Sequence, residues 1–139
     1  GVDTVLDVGC GGGLPSVPLA LLLPHVSVMG VDAVGKKAAF VNQVAIELGL
    51  KNLTARHARV EKMVGTWKAI TSRAFASLAD FTHLTMHLLA SDGRWLAMKG
   101  VVPEDEIAAL PSNVKVLAIE KLVVPGLEEE RHLIVLGKE

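Results

Sequence analysis

The chain has 139 residues, 50% of them hydrophobic and 21% charged, with a formal net charge of −1. That length suits one compact domain, and the near-neutral charge excludes a global basic field, so a nucleic-acid partner would have to meet a local patch. The single cysteine, Cys10, excludes an internal disulfide and fits a reducing, cytoplasmic setting, and the longest apolar run, 17–23, contains Pro18 and is too short to span a membrane.

In chain order, strands and helices alternate. Thr4 to Val8 reads as a fully buried strand. Only Gly1 to Asp3 precede it, so the chain reads as a domain whose N-terminal part is missing. Pro15 to Leu22 is a predicted helix with prolines in its first turn, where no amide donor is needed. Val26 to Val31 is a second β-branched run, ending at Asp32. Lys36 to Leu48 is a predicted amphipathic helix with Phe40, Val41, Val44 and Leu48 as its apolar stripe and Gly49 at the C′ position. Leu53 to His57 and Lys68 to Thr71 are the third and fourth strands, the latter ending near Ser72-Arg73. Ala79 to Leu89 is helical, with Leu78, Phe81, Leu84 and Leu88 toward the core. An Asp92-Gly93 turn should lead into a fifth strand, Arg94 to Met98, followed by a short acidic helix, Pro103 to Leu110. Val114 to Glu120 and His132 to Leu136 close the chain as two strands joined by the polar connection Pro125 to Glu130, in which Glu128 to Glu130 read as a solvated turn. The alternation predicts an α/β three-layer sandwich, with a mostly parallel sheet covered by helices on both faces. The last two strands, with no helix between them, predict a C-terminal antiparallel hairpin. No linker or repeat divides residues 1–139, so a single domain is expected.

The chemistry concentrates at the first strand's exit, Asp7-Val8-Gly9-Cys10-Gly11-Gly12-Gly13-Leu14-Pro15. A strand, a glycine turn and a helix N-terminus form a site where backbone amides and a positive dipole end meet an anionic group. The dinucleotide fingerprint G-x-G-x-x-G fails here, because Leu14 stands at the third glycine position. The order met is G-x-G-x-G, through Gly9, Gly11 and Gly13. This spacing resembles the class I methyltransferases, whose donor is S-adenosylmethionine, and Asp7 can attract the donor's ammonium. Asp32 ends the second strand roughly 20 residues after the first glycine, the spacing of a carboxylate that accepts ribose hydroxyls. At the fourth strand's end, Ser72 to Ser77 carry no Asn/Asp-Pro-Pro-aromatic motif, which removes amino-directed adenine methylation. Pyrimidine-C5 methylation needs a cysteine nucleophile, and the only cysteine lies in the glycine loop.

Several stretches then occur in one order: the loop, Gly35-Lys36-Lys37 with Phe40 and Gln43-Val44, Glu47 to Asn52, Arg59-Val60-Glu61, Ser72-Arg73-Ala74-Phe75-Ala76-Ser77, Lys99-Gly100 and Glu130 to Leu133. Together they resemble the glucose-inhibited division protein B family, which methylates N7 of one guanine in the 530 loop of bacterial 16S ribosomal RNA. The resemblance implies a class I S-adenosylmethionine-dependent methyltransferase fold. It also implies a monomeric enzyme with the ribosomal RNA or small subunit as its partner. The donor is expected against Gly9, Leu14, the Val60-Glu61 pair and Arg73, with Asp32 on the ribose. The family's helical N-terminal segment is absent ahead of the first strand, and the second helix carries Ala38, Ala39 and Asn42 where many relatives are basic.

Guanine N7 has a free lone pair at neutral pH, so no general base is required and no catalytic side chain is assigned. Alignment of N7, methyl and sulfur would carry the rate. Lys36, Lys37, Arg59, Lys99 and Arg131, together with Arg56 and Lys62, are the candidate phosphate contacts. His83 and His87 lie four apart on a helix but lack the Glu of a zinc motif, so no metal is assigned. Two other readings compete: a non-catalytic NAD or nucleotide-binding module, and a methyltransferase for a small molecule.

Overall fold

A computed structural model describes residues 3–73, 77–123, 126 and 129–139. One seven-stranded sheet organises them, in the order β3-β2-β1-β4-β5-β7-β6. Its strands are β1 (Thr4–Val8), β2 (Ser27–Asp32), β3 (Leu53–His57), β4 (Trp67–Arg73), β5 (Leu89–Lys99), β6 (Val114–Leu122) and β7 (Arg131–Lys138). The first five run parallel, while β7 runs antiparallel between β5 and β6. The expected terminal hairpin is therefore present, with its second strand inserted next to the parallel sheet.

Alternation within the buried strands separates two cores. Val5, Cys10, Val28, Leu53 and Ala69 face α1 (Ser16–Leu22) and α2 (Gly35–Leu48), which contribute Ala20, Val41 and Ala45. Leu6, Val8, Ile70, Trp95 and Ile134 face α3 (Leu78–Thr85), which contributes Leu78 and Phe81, while Ile107 of α4 (Glu104–Ala108) packs against the same core. Helix ends are closed by both local and distant groups. Gly49 takes φ 66° after α2, a left-handed conformation that costs glycine little. Ser77 Oγ accepts the Asp80 amide at 3.1 Å to cap α3. Asn52 Nδ2 donates to the carbonyls of Ala20 and Val26, at 3.0 and 2.8 Å, satisfying acceptors around the end of α1.

Four expectations are corrected. The apolar stripe of α2 is rotated: Val41 is buried as expected, but Ala38 and Ala45 are buried with it, whereas Phe40 and Leu48 are 54% and 53% exposed. The small residues allow α2 to approach the sheet, and the larger ones are turned outward. Asp92-Gly93 is not a turn before β5 but lies inside it. Trp67 pairs with Leu89 and Ala69 with Arg94, so two steps along β4 span five along β5, and the extra residues bulge out. Gly93 is needed there because a Cβ would meet Lys68 O at 2.9 Å and Ala90 O at 3.0 Å. Helix α3 stops at Thr85 and continues as a 3₁₀ turn, Met86–Leu88. Thr85 Oγ1 accepts Trp95 Nε1 at 2.9 Å, tying the end of α3 to β5. The acidic helix is shorter than expected, Glu104–Ala108.

Candidate functional site

The carboxyl ends of β1 to β5 share one edge of the sheet, and the glycine loop lies at its middle. Gly9 takes φ +76° and Gly13 φ +74°, which the two reversals of the loop require. The amides of Gly9 and Cys10 both donate to Val31 O, at 2.8 and 3.2 Å, clamping the loop to the exit of β2. Gly30 makes this close approach possible, since a Cβ there would meet Cys10 Cβ and Sγ at 2.7 Å.

Asp32 is built into the same clamp. Its Oδ2 accepts the Gly11 amide at 3.1 Å and its Oδ1 accepts the Val34 amide at 2.9 Å. Each oxygen retains a lone pair, so the carboxylate is held in place while still able to accept hydroxyl donors. His57, at the end of β3, donates from Nε2 to Ala33 O at 3.0 Å and fixes the next step of the chain.

These residues enclose an open cleft of about 290 Å³ lined by Val8, Gly9, Val31, Asp32, Ala33, Ala58, Arg59, Val60, Glu61 and Leu84. Four of the expected donor contacts, Gly9, Asp32, Val60 and Glu61, meet here. Val60 and Glu61 lie on a 3₁₀ turn, Val60–Lys62, with Val60 buried and Glu61 exposed. The apolar wall from Val8, Val31, Ala58 and Leu84 was missed by sequence reasoning. Leu84 comes from α3 and has no local signal, whereas Ala33 and Ala58 follow strand ends and were within reach of the topology argument.

Other expected residues stand outside the cleft. Gly11 and Gly13 shape the loop beside it. Leu14 is 49% exposed, and its bond to Pro15 is cis. Asp7 is 1% exposed and points to the opposite face, where Ser16 Oγ donates to Oδ2 and Thr71 Oγ1 donates to Oδ1. Burial pushes its carboxyl up to about 6 against the lowering effect of these hydroxyls, with Asp32 adding a small upward push. Asp7 therefore braces the loop from beneath instead of facing the cleft. Burial also pushes the Cys10 thiol up to about 12, with Asp7 and Asp32 adding to it, so this cysteine stays protonated.

Arg73 ends β4, exposed, opposite Met98 of β5 and outside the cleft. Ala74 to Ala76, the middle of the expected Ser72–Ser77 stretch, lie outside the described residues, as do Pro125, Leu127 and Glu128 of the expected polar connection. Lys36 and Lys37 open α2, and the stem of Lys37 runs beside Gly11, where a Cβ would meet its Cδ at 2.5 Å. Lys99 is not a free phosphate contact: its Nζ lies 3.0 Å from Glu106 Oε1. Arg131 pairs with Glu129 at 2.7 Å on the surface. His83 is exposed, and His87 Nε2 bonds Met63 O at 3.1 Å. Among the described residues no group of three or more His, Cys, Asp or Glu is placed to hold a metal ion, and no helix is long and apolar enough to cross a membrane.

The fold is shared with solved methyltransferases. TrmN from Thermus thermophilus superposes with a TM-score of 0.79 over 98% of this chain and 44% of its own, at 21% identity. A geranyl diphosphate C-methyltransferase from Streptomyces coelicolor A3(2), solved with S-adenosyl-L-homocysteine, gives 0.73 over 99% and 74%, at 17% identity. Among curated proteins, ribosomal RNA small subunit methyltransferase G of Methylibium petroleiphilum is 53% identical over 97% of this chain and 62% of its own length. The protein of that name from Aromatoleum aromaticum is 51% identical over 99% and 68%. The chain thus spans about three-fifths of the length of the first of these relatives. A family model described as GidB, rRNA small subunit methyltransferase G, matches residues 1–134. With a family match over nearly all of its length and half its residues shared with such relatives, the chain belongs to the GidB family of rRNA small subunit methyltransferases.

Proposed function

We propose that residues 1–139 form a single domain that binds S-adenosylmethionine and transfers its methyl group to N7 of a guanine in the 530 loop of 16S ribosomal RNA. The observation that carries this reading is the cleft joining Gly9, Asp32 and the Val60–Glu61 turn at the strand ends of a GidB-family chain. The residues fit an adenosine-bearing donor: an anchored carboxylate for ribose hydroxyls, apolar walls for the base, and a glycine loop without side chains in the way. Gly11 and Gly13 would keep the loop close to the donor, Leu14 would cover it from the loop's far end, and Arg73 would stand between donor and RNA.

When bound, the donor supplies an electrophilic methyl group on a sulfonium. The chain's own work is alignment. N7 needs no deprotonation, and the buried, protonated Cys10 offers no nucleophile. Lys36, Lys37 and Arg59 lie on the sheet edge that carries the cleft, which suits phosphate contacts along one face. Lys99 and Arg131 reach the same edge already paired with carboxylates, so their contribution to RNA would be smaller.

Two measurements test the reading. Calorimetry with S-adenosylmethionine and S-adenosylhomocysteine should show binding to the folded protein. Mass spectrometry of 16S RNA from a deletion strain should show one guanine lacking its N7 methyl group, restored by the full-length gene. Folded protein that binds neither ligand, or RNA with unchanged modification, would overturn it.

A further inference from the structure

The cleft occupies the ends of β1 to β3, and on the proposed reading a nucleophile in line with a methyl group held there would arrive from the neighbouring ends of β4 and β5. The start of α3 and the end of β5 are tied together by one side chain. Glu106 of α4 accepts the Leu78 amide at 2.9 Å, at the start of α3, and its Oε1 also lies 3.0 Å from Lys99 Nζ, at the end of β5. Helix α4 buries no residue completely, and this double contact adds to the packing of Ile107 in holding it. The β5 exit is braced from its other side as well: His132 Nδ1–H on β7 donates to Gly100 O at 2.6 Å. Arg73 and Met98 stand in register, Met98 immediately before Lys99.

We infer that Glu106 is a positioning residue that fixes the start of α3 against the end of β5 and so frames the side of the sheet edge from which the target base is presented. It touches neither cleft nor base, and acts through Leu78 and Lys99. The inference rests on the proposed rRNA methylation. A carboxylate suits the task because one oxygen takes both an amide and an ammonium, joining backbone and side chain at a single point.

The test uses Glu106→Ala and Glu106→Gln in the full-length polypeptide, with single-site methylation of 16S RNA, donor affinity by calorimetry and thermal midpoints. The amide of Glu106→Gln still accepts from Leu78 but no longer pairs with the charge of Lys99. The expected result is a fall in kcat of tenfold or more for Glu106→Ala and about threefold for Glu106→Gln. Donor Kd should stay within twofold and KM for RNA within threefold. Rates within twofold of wild type for both variants would overturn the inference, as would a fall matched by lost donor affinity. Should Glu106→Ala fail to fold, Glu106→Gln decides alone by the same criteria. A wild-type protein that does not methylate the RNA would instead sink the underlying reading, so the two failures are distinguishable.

Discussion

The two halves of the carboxyl edge are made by different means. On the β1–β3 side the clamp is mostly backbone: glycine φ angles, two amides on Val31 O, and a carboxylate that takes amides from Gly11 and Val34. On the β4–β7 side the joins are made by side chains, Glu106 to Leu78 and Lys99, and His132 to Gly100. A backbone-built site needs particular residues at fixed short spacings, because only glycine permits the φ angles and close approaches. A side-chain-built site needs only that complementary groups arrive together, which many sequences can arrange. The first half should therefore be intolerant of small changes, and the second should fail by degrees.

Gly30→Ala is the hardest test of that contrast. Its Cβ would meet Cys10 Cβ and Sγ at 2.7 Å, and the loop held by Val31 cannot yield freely. Urea denaturation should show a loss of about 3 kcal/mol, typical of overpacking in a tight core; a loss below about 0.5 kcal/mol would show the loop to be pliant. Asp32→Ala follows. Losing hydrogen bonds to the ribose should weaken donor binding by about 2 kcal/mol in calorimetry. An unchanged dissociation constant would leave Asp32 as a brace for the loop alone.

Asp7→Asn tests the support beneath the loop. A native carboxyl pushed up to about 6 binds its proton more tightly than the unfolded chain does, so burial favours the folded state at low pH and that contribution is lost as pH rises through about 4 to 6. The stability of wild type minus that of Asp7→Asn should therefore fall by on the order of 2 kcal/mol between pH 4 and pH 7. A flat difference would mean that Ser16 and Thr71 fully offset the burial. At the small end, Arg131→Ala removes an exposed pair with Glu129 and should change stability by less than about 0.5 kcal/mol. A larger loss would extend the rigid half of the molecule into its last strands.

Legibility in the sequence follows the same division. The first strand was readable because a buried parallel strand is a continuous apolar run, and both Thr4–Val8 and the more exposed edge strand Leu53–His57 have the expected bounds. Gly9, Asp32 and the Val60–Glu61 pair meet in the cleft because topology alone puts the ends of β1, β2 and β3 side by side. The stripe of α2 was misread because Phe40 and Leu48 carry the hydrophobicity while Ala38, Val41 and Ala45 carry the packing; close approach to a sheet selects small residues. The turn signal at Asp92-Gly93 was real, but β4 and β5 pair on both sides of it, so it became a bulge.

What the sequence determined by itself was the order of elements, the glycine loop and the acidic partner at the end of β2, since these follow from steric rules acting over a few residues. Which face Asp7 turns to, which lysine is already paired, and which α3 residue completes the cleft were decided only by the tertiary structure. Leu84 reaches the cleft beside Gly9 and Asp32, and Glu106 reaches Leu78 across 28 positions of chain, because the sheet brings its strand ends to one edge. Spacing along the chain carries no record of that distance.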